Sequence, residues 1–121
     1  MHLILLVDDD GPLRSVLRRT LERAGYAVLE ASDGRSALRA LGHDAVDLVL
    51  TDIIMPDMEG IELMRELRKA RPELPVIVMS GGSILAPNVY LQMASDLGAV
   101  RVLAKPFDSA DLLSAVAATV R

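Results

Sequence analysis

Five short runs of apolar residues recur along the chain, and several of them end at a polar residue. Several runs are continuous rather than alternating, which is typical of parallel strands that are covered on both faces of a sheet. The runs span Leu3–Val7, Ala27–Leu29, Leu48–Thr51, Val76–Met79 and Val100–Ala104. The pattern therefore predicts five buried strands.

The segments after these runs have the spacing of three and four residues that marks amphipathic helices. Pro12 suits a first helical position, Gly25 suits a helix end, and Asp108 is placed to cap the last helix. The residues on the predicted faces are Leu13, Val16, Leu17, Thr20, Leu21 and Ala24; Ala37, Leu38 and Leu41; Leu63, Met64 and Leu67; Tyr90, Met93, Ala94 and Leu97; and Leu112, Leu113, Val116, Ala117 and Val120.

Strand and helix thus alternate five times, which predicts an α/β fold with right-handed crossovers. The specific expectation is a flavodoxin-like (βα)5 doubly wound parallel sheet with strand order 2-1-3-4-5. We see no linker or repeat, so residues 1–121 are predicted to form a single domain.

Polar residues stand where the apolar strands end. They are Asp8, Asp9 and Asp10 after the first strand, Asp52 after the third, Ser80 after the fourth and Lys105 after the fifth. Sites of open α/β sheets form at this edge, where the strand order reverses. Because the first and third strands are neighbours in the predicted order, Asp8 and Asp9 are expected beside Asp52, with Ser80 and Lys105 flanking them.

This set of residues predicts phosphoryl chemistry. Neighbouring carboxylates repel one another, and a hard divalent cation relieves the repulsion. Mg²⁺ suits the set because it prefers a few carboxylates together with water and phosphate oxygens. A carboxylate can also act as a nucleophile and form an acyl phosphate, whose charge a cation, an ammonium and a hydroxyl would neutralise.

Each residue also has an ordinary structural interpretation. Asp10 is more simply a helix cap, Ser80 alone would be a turn hydroxyl, and Lys105 alone a solvated charge. The pair Asp8 and Asp9 is harder to explain in this way, because two acids that end a buried strand need compensation. The joint placement of the set at four strand ends is what indicates a site.

Four motifs, taken in order, resemble the receiver domains of two-component response regulators. They are LLVDDD at residues 5–10, LTDIIMPDMEG at 50–60, VMSG at 78–81 and KPF at 105–107. The resemblance covers essentially the whole chain. It implies a phosphorylation-dependent signalling switch rather than an enzyme, although such a domain promotes its own phosphorylation and slow autodephosphorylation. The phosphoryl donor would be a sensor histidine kinase, a histidine phosphotransfer protein or a small acyl phosphate.

The resemblance also implies the roles of individual residues around Mg²⁺. Asp52 would accept the phosphoryl group. Asp9, Asp52 and the backbone carbonyl of Ile54 would ligate the metal directly, whereas Asp8 would act largely through bound water. Lys105 would pair with the phosphoryl oxygens.

A second group of residues is implied in switching. Ser80 would swing in to hydrogen-bond the phosphoryl group, and the Lys105–Pro106 bond is expected to be cis. Val102 stands where similar receivers usually carry an aromatic residue that rotates with the switch. The output face would comprise the fourth helix, the fifth strand and the fifth helix, which a downstream protein or output domain would recognise.

Composition narrows the partners further. The only aromatic residues are Tyr26, Tyr90 and Phe107, the formal net charge is −4, and Lys and Arg are not clustered. Direct nucleic-acid binding is therefore not expected. The chain has no cysteine, and its first apolar run is too short to span a bilayer. We expect a soluble cytoplasmic protein without membrane contact.

Two other functions remain as alternatives. One is a receiver-shaped interaction module that is never phosphorylated, which would be expected to have lost an acid or the lysine. The other is a haloacid-dehalogenase-type phosphatase with Asp8 as its nucleophile, a reading that gives Asp52 no role. Both a stand-alone receiver and a domain excised from a longer regulator fit the sequence.

Overall fold

Five parallel strands form one sheet in the order β2-β1-β3-β4-β5. The computed structural model of the chain describes residues 1–53, 60–80, 92, 95, 96 and 98–120, without the side chains of Ile61 and Ser80. The strands are β1 (Leu3–Val7), β2 (Ala27–Ala31), β3 (Leu48–Asp52), β4 (Val76–Ser80) and β5 (Arg101–Ala104). The predicted fold class and strand order are confirmed.

β2 is two residues longer than the sequence pattern predicts. β2 continues through Glu30 and Ala31, which pair in parallel register with Leu6 and Val7. The charged Glu30 ends the apolar run in the sequence but not the backbone ladder, because its carboxylate is neutralised by two arginines of the first helix.

Four helices have defined bounds within the described ranges. They are α1 (Gly11–Arg23), α2 (Gly34–Leu41), α3 (Gly60–Ala70) and α4 (Ser109–Thr119). The helix predicted around residues 90–97 lies largely outside those ranges, although Gln92, Ser95 and Asp96 are helical. No helix in the described part of the chain is long and apolar enough to cross a membrane.

Aspartates begin three of these helices. The side chains of Asp10, Asp33 and Asp108 accept hydrogen bonds from backbone N–H groups three residues further on. Such caps satisfy donors that the first helical turn leaves without a partner. The interpretation of Asp10 as a helix cap is therefore confirmed, and so is the cap predicted at Asp108.

The sheet is covered by helices on both faces, which explains why its strands are continuously apolar. Side chains alternate along each strand, so that Leu5 and Val7 contact the core with α2 and α3, whereas Ile4 and Leu6 contact the core with α1 and α4. Both cores consist mainly of aliphatic residues with little or no exposure. This packing fixes the strand ends from which the polar residues project.

Candidate functional site

Three carboxylates converge at the carboxyl ends of β1 and β3. Val7 of β1 pairs with Thr51 of β3, so the acids that follow these residues lie side by side. One oxygen from each of Asp8, Asp9 and Asp52 lies within 4.8 Å of the other two. Asp8 is fully buried, the side chain of Asp52 is 14% exposed, and Asp9 is exposed.

Lys105 joins this cluster from the end of β5. Its Nζ lies 3.2 Å from Asp8 Oδ2 and 3.3 Å from Asp52 Oδ2. The Lys105–Pro106 peptide bond that follows is cis, as expected. A single ammonium thus bridges two acids that belong to neighbouring strands.

The electrostatics keep this ammonium charged. Burial by itself lowers the pKa of Lys105, but Asp52 and Asp8 outweigh it, and the pKa is raised above its ordinary value. The acids still outnumber the ammonium, so the site retains negative charge. The exclusively oxygen donors fit Mg²⁺, which prefers carboxylates and keeps part of its water shell.

Gly60, the first residue of α3, packs directly against the backbone at the end of β3. Its backbone N–H donates to the carbonyl of Ile53 at 2.6 Å. A Cβ built on Gly60 would lie 2.4 Å from Ile53 Cα and 2.6 Å from the Asp52 carbonyl oxygen. Only glycine allows α3 to approach the Asp52 backbone this closely.

Comparison with known proteins identifies this arrangement. Residues 4–117 match the family described as response regulator receiver domain. The chain belongs to this family. Members act in phosphorylation-dependent signalling and generally bind Mg²⁺ through acidic residues.

Two relatives show how the receiver relates to whole proteins. It is 38% identical over 116 residues to the response regulator receiver protein CpdR of Brucella abortus, covering 96% of this chain and 94% of that protein. It is 41% identical over 115 residues to the DNA-binding transcriptional regulator NtrC of Rhizobium meliloti, but these cover 93% of this chain and only 23% of NtrC.

Solved structures agree with the fold. The receiver matches the chemotaxis response regulator CheY4 of Vibrio cholerae with a TM-score of 0.89 at 30% identity, covering 99% of both chains. It matches the receiver domain of NtrX from Brucella abortus with a TM-score of 0.89 at 31% identity, covering 96% of both chains.

The remaining predicted site residues of the receiver are placed less fully. Ser80 ends β4, where its backbone pairs with Ala104 of β5, and its side chain lies outside the described part of the structure. Ile54 and the loop after Ser80 are also outside the described residues. Val102 is half-buried on β5 and packs against the core beneath α2 and α3, whereas Pro106 is exposed.

Sequence reasoning missed two features of the receiver site. Gly60 was recognised only as one residue of a motif, and the sequence does not show that the backbone of β3 passes this close to it. Arg14 was not singled out at all. Its spacing from Glu30 along the chain gives no hint that the two side chains meet beside Asp8.

Proposed function

We propose that this receiver is a phosphorylation-dependent switch in which Asp52 accepts a phosphoryl group in a Mg²⁺-dependent reaction. The observation that carries the proposal is the position of Lys105, whose Nζ contacts both Asp8 and Asp52 within a cluster of three carboxylates. An ammonium in this place can neutralise the oxygens of a group transferred to Asp52.

The difference in burial favours Asp52 over Asp8 as the acceptor. Asp8 is fully buried, its Oδ1 accepts from the backbone N–H of Asp10 at 2.9 Å, and its Oδ2 accepts from Lys105. Asp52 retains exposed side-chain surface at the end of β3. A donor can therefore approach Asp52 more readily, which argues against the phosphatase alternative with Asp8 as its nucleophile.

The transfer is a displacement at phosphorus. An Asp52 carboxylate oxygen forms the new P–O bond, while the bond from phosphorus to the donor's nitrogen or oxygen breaks and its electron pair leaves with the donor. Lys105 holds its proton and neutralises the transferred oxygens. Asp9, Asp52 and the Ile54 carbonyl would hold Mg²⁺, with Asp8 acting through water, and the bound ion would neutralise the converging charges.

Switching would follow from the added charge. A phosphoryl group carries roughly two negative charges at neutral pH and strong hydrogen-bond acceptors. Ser80 would respond directly, Pro106 follows the lysine that contacts the new group, and Val102 would transmit the change through its packing on β5. The output face would then comprise the helix predicted around residues 90–97, strand β5 and helix α4, which is the fifth helix of the sequence pattern.

The partners follow from this role. The donor would be a sensor histidine kinase or a histidine phosphotransfer protein, and slow loss of the phosphoryl group to water would reset the switch. The target would be a downstream protein or an output domain that reads the output face. A cytoplasmic location and the absence of direct nucleic-acid binding by this domain stay predictions.

Intact mass spectrometry after incubation with Mg²⁺ and acetyl phosphate tests the proposal. We expect one added phosphoryl group in the wild-type chain, and none in Asp52→Asn or in the presence of EDTA. Asp10→Asn is the matched control, because asparagine also caps helices well and the neighbouring site acids remain. Phosphorylation that survives in Asp52→Asn would contradict the acceptor, and no phosphorylation of the wild type would favour the interaction-module alternative.

A further inference from the structure

The turn after β1 is anchored by an arginine that the roles above do not use. Arg14 is the fourth residue of α1, and its side chain is 20% exposed. Its Nη1 donates to the backbone carbonyl of Asp8 at 2.6 Å, and its Nε donates to Glu30 Oε1 at 2.9 Å. One guanidinium therefore connects the metal-binding turn to strand β2.

Glu30 is itself held firmly. Its second oxygen accepts from Arg18 Nη1 at 2.6 Å, and Arg18 also pairs with Glu22 one turn along α1. The hydrogen bond from Arg18, opposed by burial and supported by the bond from Arg14, lowers the pKa of Glu30 below its ordinary value. Glu30 is thus a charged, fixed point on β2 against which Arg14 is oriented.

The contact with the Asp8 carbonyl matters because this carbonyl is part of the peptide group that joins Asp8 to Asp9. The peptide group that joins Asp8 to Asp9 is planar and rigid, so a bond that fixes its oxygen also fixes the direction in which Asp9 leaves the turn. The Asp9 carboxylate is exposed, and within the described ranges no hydrogen bond holds it. Its position relative to Asp52 therefore depends on its backbone.

We propose that Arg14, oriented by Glu30, is a positioning residue that places Asp9 for Mg²⁺ binding. The inference rests on the proposed function, since it concerns the same metal site. Residues that orient metal ligands without contacting the metal commonly matter for metal affinity, which falls about 10-fold or more when they are removed. Arg14 occupies that place here, although it contacts no carboxylate of the site.

The sign of the expected effect separates positioning from simple electrostatics. A guanidinium near the cluster repels a cation, so its removal by charge alone would tighten Mg²⁺ binding. Loss of positioning has the opposite effect. Arg14→Gln should therefore raise the dissociation constant for Mg²⁺ by about 10-fold, even though it removes a positive charge.

Arg18→Gln is the matched control. It removes the same charge from the other oxygen of Glu30, but no hydrogen bond from Arg18 to Asp8 is present among the described residues. We expect Arg18→Gln to leave the dissociation constant within about twofold of wild type, because Arg14 still pairs with Oε1 of Glu30. Arg14→Lys, whose ammonium cannot donate to both acceptors in the same geometry, should fall between wild type and Arg14→Gln.

Calorimetric titration of the full chain with MgCl₂ measures these constants, and urea unfolding without Mg²⁺ reports stability separately. An Arg14→Gln chain that is less stable but binds Mg²⁺ as tightly as wild type, or more tightly, would overturn the inference. If Arg14→Gln does not fold, Glu30→Gln and Arg14→Lys decide by the same comparison with Arg18→Gln. A wild-type chain that binds no Mg²⁺ would instead contradict the proposed function itself.

Discussion

The two edges of the sheet use the same residue type in opposite ways. At the amino ends of the strands, the carboxylate of Asp47 accepts from the backbone N–H of Leu3 at 2.8 Å. At the carboxyl ends, Asp8, Asp9 and Asp52 converge, and one ammonium contacts Asp8 and Asp52. The first edge satisfies its acid with the protein's own backbone, whereas the second leaves an excess of negative charge that a cation can satisfy.

This contrast shows that the role of an aspartate is indicated by the groups that donate to its carboxylate. Asp10 lies directly beside the acid cluster, yet its side chain bonds to the backbone of α1, as a cap does. Asp8 stands only two residues earlier in the sequence but shares Lys105 with Asp52 of another strand. The surrounding donors therefore distinguish a helix-capping acid from a site acid better than position along the chain does.

The largest effect on stability is expected from Gly60→Ala. The new Cβ would overlap the Ile53 backbone and the Asp52 carbonyl, so the strand end that carries Asp52 must move. We expect a loss of about 2 to 3 kcal/mol in the free energy of unfolding, measured by urea denaturation, together with slower phosphorylation by acetyl phosphate.

Gly11→Ala provides the control for that prediction. Among the residues that the structure describes, a Cβ on Gly11 would meet only Nη2 of Arg14, at 4.0 Å. Its stability should stay within about 0.5 kcal/mol of wild type. If Gly60→Ala behaved like Gly11→Ala, the close approach of α3 to β3 would not be needed to hold Asp52 in place.

Removal of the shared ammonium is the next largest change. Lys105→Gln takes away the charge that Asp8 and Asp52 share, which should cost about 2 kcal/mol without Mg²⁺. Added Mg²⁺ should recover more stability in this variant than in wild type, because the acids lose their other cation. Lys69→Gln is the comparison, since Lys69 is exposed at 77% and lies 3.7 Å from Glu66, and no measurable change is expected there.

The contribution of Lys105 to the free energy of unfolding should change only at alkaline pH. The folded state raises the pKa of Lys105 above 10.5, so it binds that proton more tightly than the unfolded chain does. The stabilisation is complete below the unfolded pKa and is lost as the pH rises through the folded pKa. Urea unfolding between pH 9 and 12, roughly the range around the ordinary lysine pKa, should show this loss in wild type. An equal loss in Lys105→Gln would contradict it.

The smallest effect is expected at the opposite edge. Asp47→Ala removes one exposed acceptor of the Leu3 N–H, which should cost roughly 0.5 kcal/mol. The cost should be the same with and without Mg²⁺, because no metal cluster is formed at this edge by the described residues. A loss of stability in Asp47→Ala that depends on Mg²⁺ would contradict the distinction between the two edges.

Much of the fold could be predicted because apolar periodicity reports burial directly. The alternation of strand and helix predicted the α/β class, the doubly wound strand order expected for that class is the one observed, and Asp108 was recognisable as a cap. The extension of β2 through Glu30 was not predictable, since the ion pairs that make a charged residue acceptable in a strand join parts of the chain distant in sequence.

The site was predictable only in its residue types. The motifs selected Asp8, Asp9, Asp52 and Lys105, but the distances between them depend on strand register, which the sequence does not encode locally. The contact of Arg14 with the Asp8 carbonyl has no sequence signature, because a backbone acceptor is present at every residue. The steric role of Gly60 is likewise evident only from its short distance to Ile53, because a glycine in a sequence can serve many backbone conformations.

The central claim is that the acid excess at the carboxyl edge serves phosphoryl transfer to Asp52. Borohydride reduction of the chain after treatment with acetyl phosphate and Mg²⁺, followed by peptide mass spectrometry, locates the acyl phosphate. We expect the reduced residue at position 52, in an amount that depends on Mg²⁺. Labelling at Asp8 or Asp9, or equal labelling of Asp52 in EDTA, would contradict the account.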